Sequence, residues 1–231
     1  MRAVKGESRF SKSRPAQVLV VDDQALYREG LREIMGHWPE FKVIGEAADG
    51  WHALSFCRKR CPDLVVMDNM MPMMNGVEAA RRILREYPRV IIVMLTVFVD
   101  EKVLLKAFDA GVSGYVLKET PSKQIRAHLR DAVRGDTVVS ASVARFLVSE
   151  IASRPNIRVE AEQLPSDAEF GDEDRALMKL LAQGLSNEAI GAALFISPGL
   201  VKKRLKAIMD KLSLDNRVQV AVYAVRNGIA D

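Results

Sequence analysis

Leu64-Val65-Val66-Met67-Asp68 runs directly into Asn69-Met70-Met71-Pro72-Met73-Met74-Asn75-Gly76. Four apolar residues, one carboxylate, then Pro and Gly describe a buried parallel strand that stops at a loop. In open α/β sheets, ligands bind at the carboxyl ends of strands. Alone, an Asp at that place reads equally well as a turn former. Three other apolar runs shift the balance, because each also stops at a polar group. Val18-Leu19-Val20-Val21 stops at Asp22-Asp23, Val90-Ile91-Ile92-Val93-Met94-Leu95 at Thr96, and Gly114-Tyr115-Val116-Leu117 at Lys118.

If these strands are parallel, three carboxylates, a hydroxyl and an ammonium converge on one edge. Clustered carboxylates repel one another, and a hard divalent cation with oxygen ligands relieves that repulsion; Mg2+ fits. A cation beside a nucleophilic carboxylate, with a hydroxyl and an ammonium nearby, suits an incoming phosphoryl group. An acyl phosphate on Asp68 gives these groups a shared target. The pair Asp22-Asp23, the run Asp68-x-x-Met71-Pro72-x-x-x-Gly76, Leu95-Thr96 and Tyr115-x-x-Lys118 stand in the order of the receiver domain of bacterial two-component response regulators, which this half of the chain resembles.

A length of 231 residues allows one large domain or two small ones, and the motifs favour two. No apolar run approaches the ~20 residues of a membrane span. The N-terminus is basic but has no apolar core, so it does not read as a secretory signal, and a cytoplasmic location is expected. Cys57 and Cys61 lie one helical turn apart with no second Cys or His pair to complete a zinc set, and read as reduced packing residues. His37, His52 and His128 are scattered, with no nucleophile–base arrangement around them. The formal charge of +4 resides in residues 1–15, which hold five cations and one acid. Any nucleic-acid argument therefore rests on local patches.

Residues 1–15 are expected to be a disordered basic tail. From 16 to 136 strands and helices alternate. Leu26, Gly30, Leu31 and Ile34 keep helical spacing after the first strand, Val43–Ala47 is a second strand, and Asp49 caps a helix carrying Ala53, Leu54 and Cys57. A helix follows from Val77 to Glu86, another bears Val103, Leu104 and Ala107, and a last one starts at Pro121 with Ile125, Leu129 and Val133 on one face. Five βα units predict an α/β fold: a flavodoxin-like, doubly wound, five-stranded parallel sheet. Residues 137–165 read as a linker with a short helix bearing Val143, Phe146, Leu147 and Ile151.

Residues 166–231 show four helical segments and no strand pattern, an all-α helix-turn-helix domain. Leu177, Leu180 and Leu181 line the first helix; Ser186 caps a second that buries Ile190, Ala193 and Leu194; Val218, Ala221, Val222 and Val225 line the fourth. On the third, Val201, Leu205, Ile208 and Leu212 share one face at about 100° per residue, with Lys202, Lys203 and Lys206 opposite and Arg204 and Lys211 flanking. Composition alone also permits an ordinary solvated basic face. Two short helices joined by a tight turn, the second apolar inside and basic outside, match helix-turn-helix geometry. Leu181-Ala182-Gln183-Gly184-Leu185-Ser186-Asn187, Ile196-Ser197, Val201-Lys202 and Lys211-Leu212 resemble the LuxR-type DNA-binding domain. Both halves together resemble a NarL/FixJ-type response regulator.

The resemblance implies a transcriptional regulator, not an enzyme, that is switched by phosphorylation and binds double-stranded DNA as a homodimer. Asp68 would accept a phosphoryl group from a sensor histidine kinase. Asp23, Asp68 and the Met70 carbonyl would hold Mg2+, with Asp22 acting through water. Thr96 and Lys118 would meet the phosphoryl oxygens, and the surface near Tyr115 would switch. Lys202, Lys203 and Lys206 would face bases, with Arg204, Lys211 and Arg217 nearer phosphates.

Several positions depart from the family pattern. Val97 follows Thr96 where a small residue is usual and is expected to crowd the phosphoryl path; Gln24 and Asn69 replace a His and an apolar residue. Glu188 falls one residue early for a capping box, and Leu200 stands where Thr is usual. Two alternatives remain open: a receiver-containing signalling adaptor whose C-terminal domain binds protein or binds DNA independently of phosphorylation, and a metal-dependent phosphatase using Asp68. The phosphatase would need an Asp where Met70 stands.

Overall fold

The computed structural model describes residues 14–97, 100–140, 143, 146, 170–214 and 217–230. The chain divides into two compact units, Met1–Val138 and Val139–Asp231. In the first, β1 (Ala16–Val21), α1 (Ala25–Gly36), β2 (Phe41–Ala47), α2 (Gly50–Lys59), β3 (Leu64–Met67), α3 (Gly76–Glu86), β4 (Ile91–Thr96), α4 (Glu101–Asp109), β5 (Gly114–Leu117) and α5 (Ser122–Val133) alternate as expected. The sheet order is β2-β1-β3-β4-β5, continued by a short β6 (Val138–Val139). The β1–β2, β1–β3, β3–β4 and β4–β5 pairs are parallel. This is the flavodoxin-like order, whose direction of winding reverses between β1 and β3. Strand ends there have no crossover above them, which opens a crevice.

The reasons are legible residue by residue. β1, β3 and β5 are buried nearly throughout, as parallel strands covered by helices must be. Helix starts are fixed by side chains: Asp49 accepts from His52 N, Asn75 from Glu78 N and Asp100 from Val103 N, each satisfying an otherwise orphaned donor. Val18, Val20, Leu64, Val66, Val93, Leu95 and Val116 form one face of the core, against which α1 and α5 pack Leu31, Met35, Ile125 and Leu129.

Three expectations are corrected. Among the described residues the sheet has six strands, because Val138 N donates to Ser113 O at 2.9 Å and extends the edge into residues assigned to the linker. Gly114 makes room for it: a Cβ there would meet the Val138 side chain at 2.3 Å. The buried stripe of α1 is Leu31 and Met35, while Leu26 is 83% exposed and Ile34 41%. Spacing alone marks a face but not which residue is its centre. Pro121 is the extended cap of α5 and not its first helical residue. The tail (1–13) and residues 147–169 of the expected linker and its helix, including Leu147 and Ile151, lie outside the described residues; Val143 and Phe146 are helical.

In the second unit, α6 (Asp172–Ala182), α7 (Asn187–Leu194), α8 (Pro198–Leu212) and α9 (Arg217–Arg226) enclose a core of Phe170, Leu177, Leu181, Ile190, Val201, Leu205, Ile208, Leu212, Val220 and Tyr223. All four apolar residues chosen on α8 are buried, and Ser186 accepts from Ala189 N at 3.2 Å as the cap of α7. On α7, Ala193 is exposed; on α9, Val220, Tyr223 and Ala224 join Val218 as the buried residues, with Ala221 and Val222 only partly covered.

Candidate phosphoacceptor pocket and nucleic-acid interface

The five polar strand ends meet. Asp22 and Asp23 follow β1, Asp68 follows β3, Thr96 closes β4 and Lys118 follows β5. Lys118 Nζ lies 2.6 Å from Asp22 Oδ2 and 2.7 Å from Asp68 Oδ2. Asp22 and Asp68 are 98% buried and Asp23 is exposed, and carboxylate oxygens of all three lie within 4.8 Å of one another. Asp22 is anchored by Gln24 N at 3.0 Å, and Asp68 Oδ1 accepts from Met70 N at 3.2 Å. The Thr96 backbone carbonyl accepts from Lys118 N at 2.8 Å, while its buried hydroxyl has no hydrogen-bond partner among the described residues. Tyr115, on β5, is buried.

The backbone is shaped to put Asp68 there. Asp68 N donates to Val21 O at 2.8 Å, and Gly76 N to Asn69 O at 3.0 Å, so the loop folds back on itself. A Cβ on Gly76 would stand 2.2 Å from the Asp68 carbonyl oxygen, so the start of α3 approaches the loop as closely as only glycine allows. Asn69, which departs from the family pattern, is buried and accepts Val77 N through its side chain at 3.3 Å, adding a second cap to α3.

Burial raises the Asp22 carboxyl above its ordinary value, against the lowering effect of Lys118 and Gln24 N. Burial works against the Lys118 ammonium, but the hydrogen bonds it donates to Asp22 and Asp68 outweigh that and raise its pKa. Burial, with Asp68 adding to it, pushes the Tyr115 phenol up to about 12. Lys118 is therefore a fixed cation, and one cation faces three carboxylates. Two negative charges are unmatched among hard oxygen donors that open to solvent at Asp23, an arrangement that fits a partly hydrated divalent ion such as Mg2+.

Two residues of this pocket carry no motif and escape sequence reasoning. The Tyr27 ring lies 4.4 Å from Lys118 Nζ, and Arg28 donates to the Asp22 carbonyl at 2.6 Å. Their only sequence signal is their place in the first turn after Asp22-Asp23.

On the other unit, Lys202, Lys203 and Lys206 are exposed along α8. Lys206 pairs with Asp210 at 2.8 Å within the helix. The three cations assigned to phosphates all have contacts inside the domain. Arg204 pairs with Glu173, Lys211 Nζ stands 4.6 Å from the Phe170 ring centroid, and Arg217 donates to Leu185 O at 2.8 Å and to Asn187 Oδ1 at 3.4 Å. The turn before α8 is tight: Phe195 adopts φ 54°, and a Cβ on Gly191 would stand 2.6 Å from Ile196 O. Ser197 then caps α8 through Leu200 N, with Pro198 in the first turn.

Known proteins carry the same pair of units. The response regulator receiver domain matches residues 18–130, and the luxR family of bacterial regulatory proteins matches 171–224. The chain is 34% identical over 213 residues to YxjL of Bacillus subtilis, an uncharacterized transcriptional regulatory protein, covering 92% of this chain and 96% of that one. The chain belongs to the NarL/FixJ-type response regulators. The regulator is also 32% identical to VraR of Staphylococcus aureus, a response regulator protein, over 92% of this chain and 98% of the other. A LuxR-family two-component response regulator from Aurantimonas matches it in structure with a TM-score of 0.57 and 33% identity, over 60% of this chain and 99% of that one. Members of this family are DNA-binding transcription regulators and not enzymes, which removes the phosphatase alternative. Among the described residues, no helix of the regulator is long and apolar enough to cross a membrane.

Proposed function

We propose that Asp68 is the phosphoacceptor of this regulator and that its phosphorylation controls dimerisation and DNA binding in the cytoplasm. The observation that carries this is the buried ammonium of Lys118 held 2.7 Å from Asp68, with two carboxylates more than one cation can balance. An Asp68 carboxylate oxygen attacks the phosphorus of a kinase phosphohistidine; the P–N bond breaks and the imidazole leaves with its electron pair. Lys118 pairs with the transferring oxygens, and the Thr96 hydroxyl, buried without a partner, donates to one. Asp23, Asp68 and the Met70 carbonyl would hold Mg2+, with Asp22 acting through water. When bound, the ion would neutralise charge that gathers on the phosphoryl oxygens.

The rim of the pocket favours a protein donor. Leu26, Met70, Met73 and Val97, all just beyond the carboxyl ends of β1, β3 and β4, are 62–85% exposed, an unusual concentration of large apolar side chains. A sensor histidine kinase that covers them gains hydrophobic contact that a small phosphodonor cannot. The acyl phosphate adds about −1.5 to −2 charges, enough to draw Thr96 and the surface near Tyr115 into a second arrangement. For DNA, Lys202, Lys203 and Lys206 on α8 face the major groove, and Arg204, Lys211 and Arg217 stand nearer the phosphates.

Labelling with acetyl phosphate and Mg2+ tests the acceptor: wild type takes up phosphoryl and Asp68→Asn does not. Molecular size and DNA affinity, measured with and without beryllofluoride, test the switch; identical values in both states would discard it.

A further inference from the structure

We infer that Tyr27 is a positioning residue for Lys118, its ring holding the ammonium at the pocket when the carboxylates are engaged elsewhere. This rests on the proposed role of Asp68. Among the described residues the ammonium has three close contacts: Asp22 at 2.6 Å, Asp68 at 2.7 Å and the Tyr27 ring centroid at 4.4 Å. The first two are with groups that would serve a divalent cation. Such a cation and the ammonium compete for the same oxygens and repel each other at this range. The ring is different: its face attracts a cation, carries no net charge and ligates no hard metal. It is the one of the three contacts that outlasts metal loading, the moment at which Lys118 must still be present to meet a phosphoryl oxygen.

The ring is itself fixed. Tyr27 packs against the core beneath β1 and lies in the first turn of α1, where its N–H donates to Gln24 O at 3.1 Å. The same turn is tied to the pocket by Arg28, which donates to the Asp22 carbonyl. A lysine stem has wide rotamer freedom, so a ring that restricts it lowers the cost of placing the ammonium.

The experiment uses the full-length regulator with Tyr27→Phe, and then phenylalanine at position 27 bearing successive ring fluorines, which weaken the face potential with little change in volume. Beryllofluoride affinity with Mg2+ is one readout; the chemical shift of the Lys118 ε-methylene protons, followed before and after Mg2+, is the other. Expected are Tyr27→Phe within about twofold of wild type and a stepwise loss reaching about tenfold across the fluorinated series. The ε-methylene protons stay displaced upfield by the ring current after Mg2+ is added. A flat fluorine series, or Lys118 protons that return to ordinary lysine values on adding Mg2+, overturns the inference and leaves the Asp68 assignment intact. Wild-type protein that does not bind beryllofluoride overturns the assignment beneath it as well.

Discussion

Lys118 Nζ and Asp68 Oδ2 are 2.7 Å apart although 50 positions separate the residues in the chain, and each side chain is at least 95% buried. The contact exists because β3 and β5 flank β4 in one parallel sheet, so their ends open on the same rim. Everything attributed to the receiver half depends on it.

Removing the cation leaves two buried carboxylates facing each other. Lys118→Ala is expected to cost about 3 kcal/mol, the scale for breaking one side of a buried pair. Asp68→Asn removes one of the two competing acids and is expected to be neutral or stabilising. Urea denaturation of both variants checks the contrast, and equal losses would contradict the charge imbalance described for the pocket.

Gly76 tests how tightly the loop is built. In Gly76→Ala, the new methyl meets the Asp68 carbonyl, a backbone atom that cannot swing aside. A loss of about 2 kcal/mol is expected, with weakened beryllofluoride binding because Asp68 itself is displaced. Denaturation midpoints and a binding titration measure the two effects separately.

On the output domain, Lys202 is exposed on α8, whereas Arg217 is also bonded within the fold. Lys202→Ala should lower DNA affinity and reduce the salt slope by about 1 if the side chain meets a phosphate, or lower it with unchanged slope if it meets a base. Arg217→Ala should lower the melting temperature, because its guanidinium ties α9 to the start of α7 through Leu185 O and Asn187 Oδ1. Mobility shifts across several salt concentrations, beside thermal melts, read both.

The Glu40–Arg126 pair gives a pH dependence with a defined sign. Both Glu40 oxygens accept from Arg126 at 2.7 Å, and that bond holds the Glu40 carboxyl below its usual value. A depressed carboxyl contributes stability above its unfolded pKa of about 4.3 and loses it as pH falls through the folded value. Glu40→Gln should therefore be about 1 kcal/mol less stable near neutral pH, a partly solvated bidentate pair, and the gap should close below about pH 4. A gap that persists in acid would assign the effect to packing.

Much of this protein is decided by its sequence because the information is local. An apolar run that stops at a carboxylate names a strand and its functional end together. A period of 3.6 residues placed Val201, Leu205, Ile208 and Leu212 inside α8 and left Lys202, Lys203 and Lys206 outside, and all seven stand so. Asp49 and Ser186 cap their helices as their residue types demand. What tertiary structure alone decided is non-local. Which face of α1 meets the sheet, and so why Leu26 lies open beside the pocket while Met35 is buried, depends on the neighbours above the sheet and not on spacing. The sixth strand depends on Val138 finding Gly114. Arg217 could be placed near phosphates by type, but its hydrogen bonds to residues 30 and 32 positions away appear only when the chain has folded. The stacking of Tyr27 on Lys118 has no pattern in the chain at all, because it arises where the first turn of one helix and the end of a distant strand are brought to one rim.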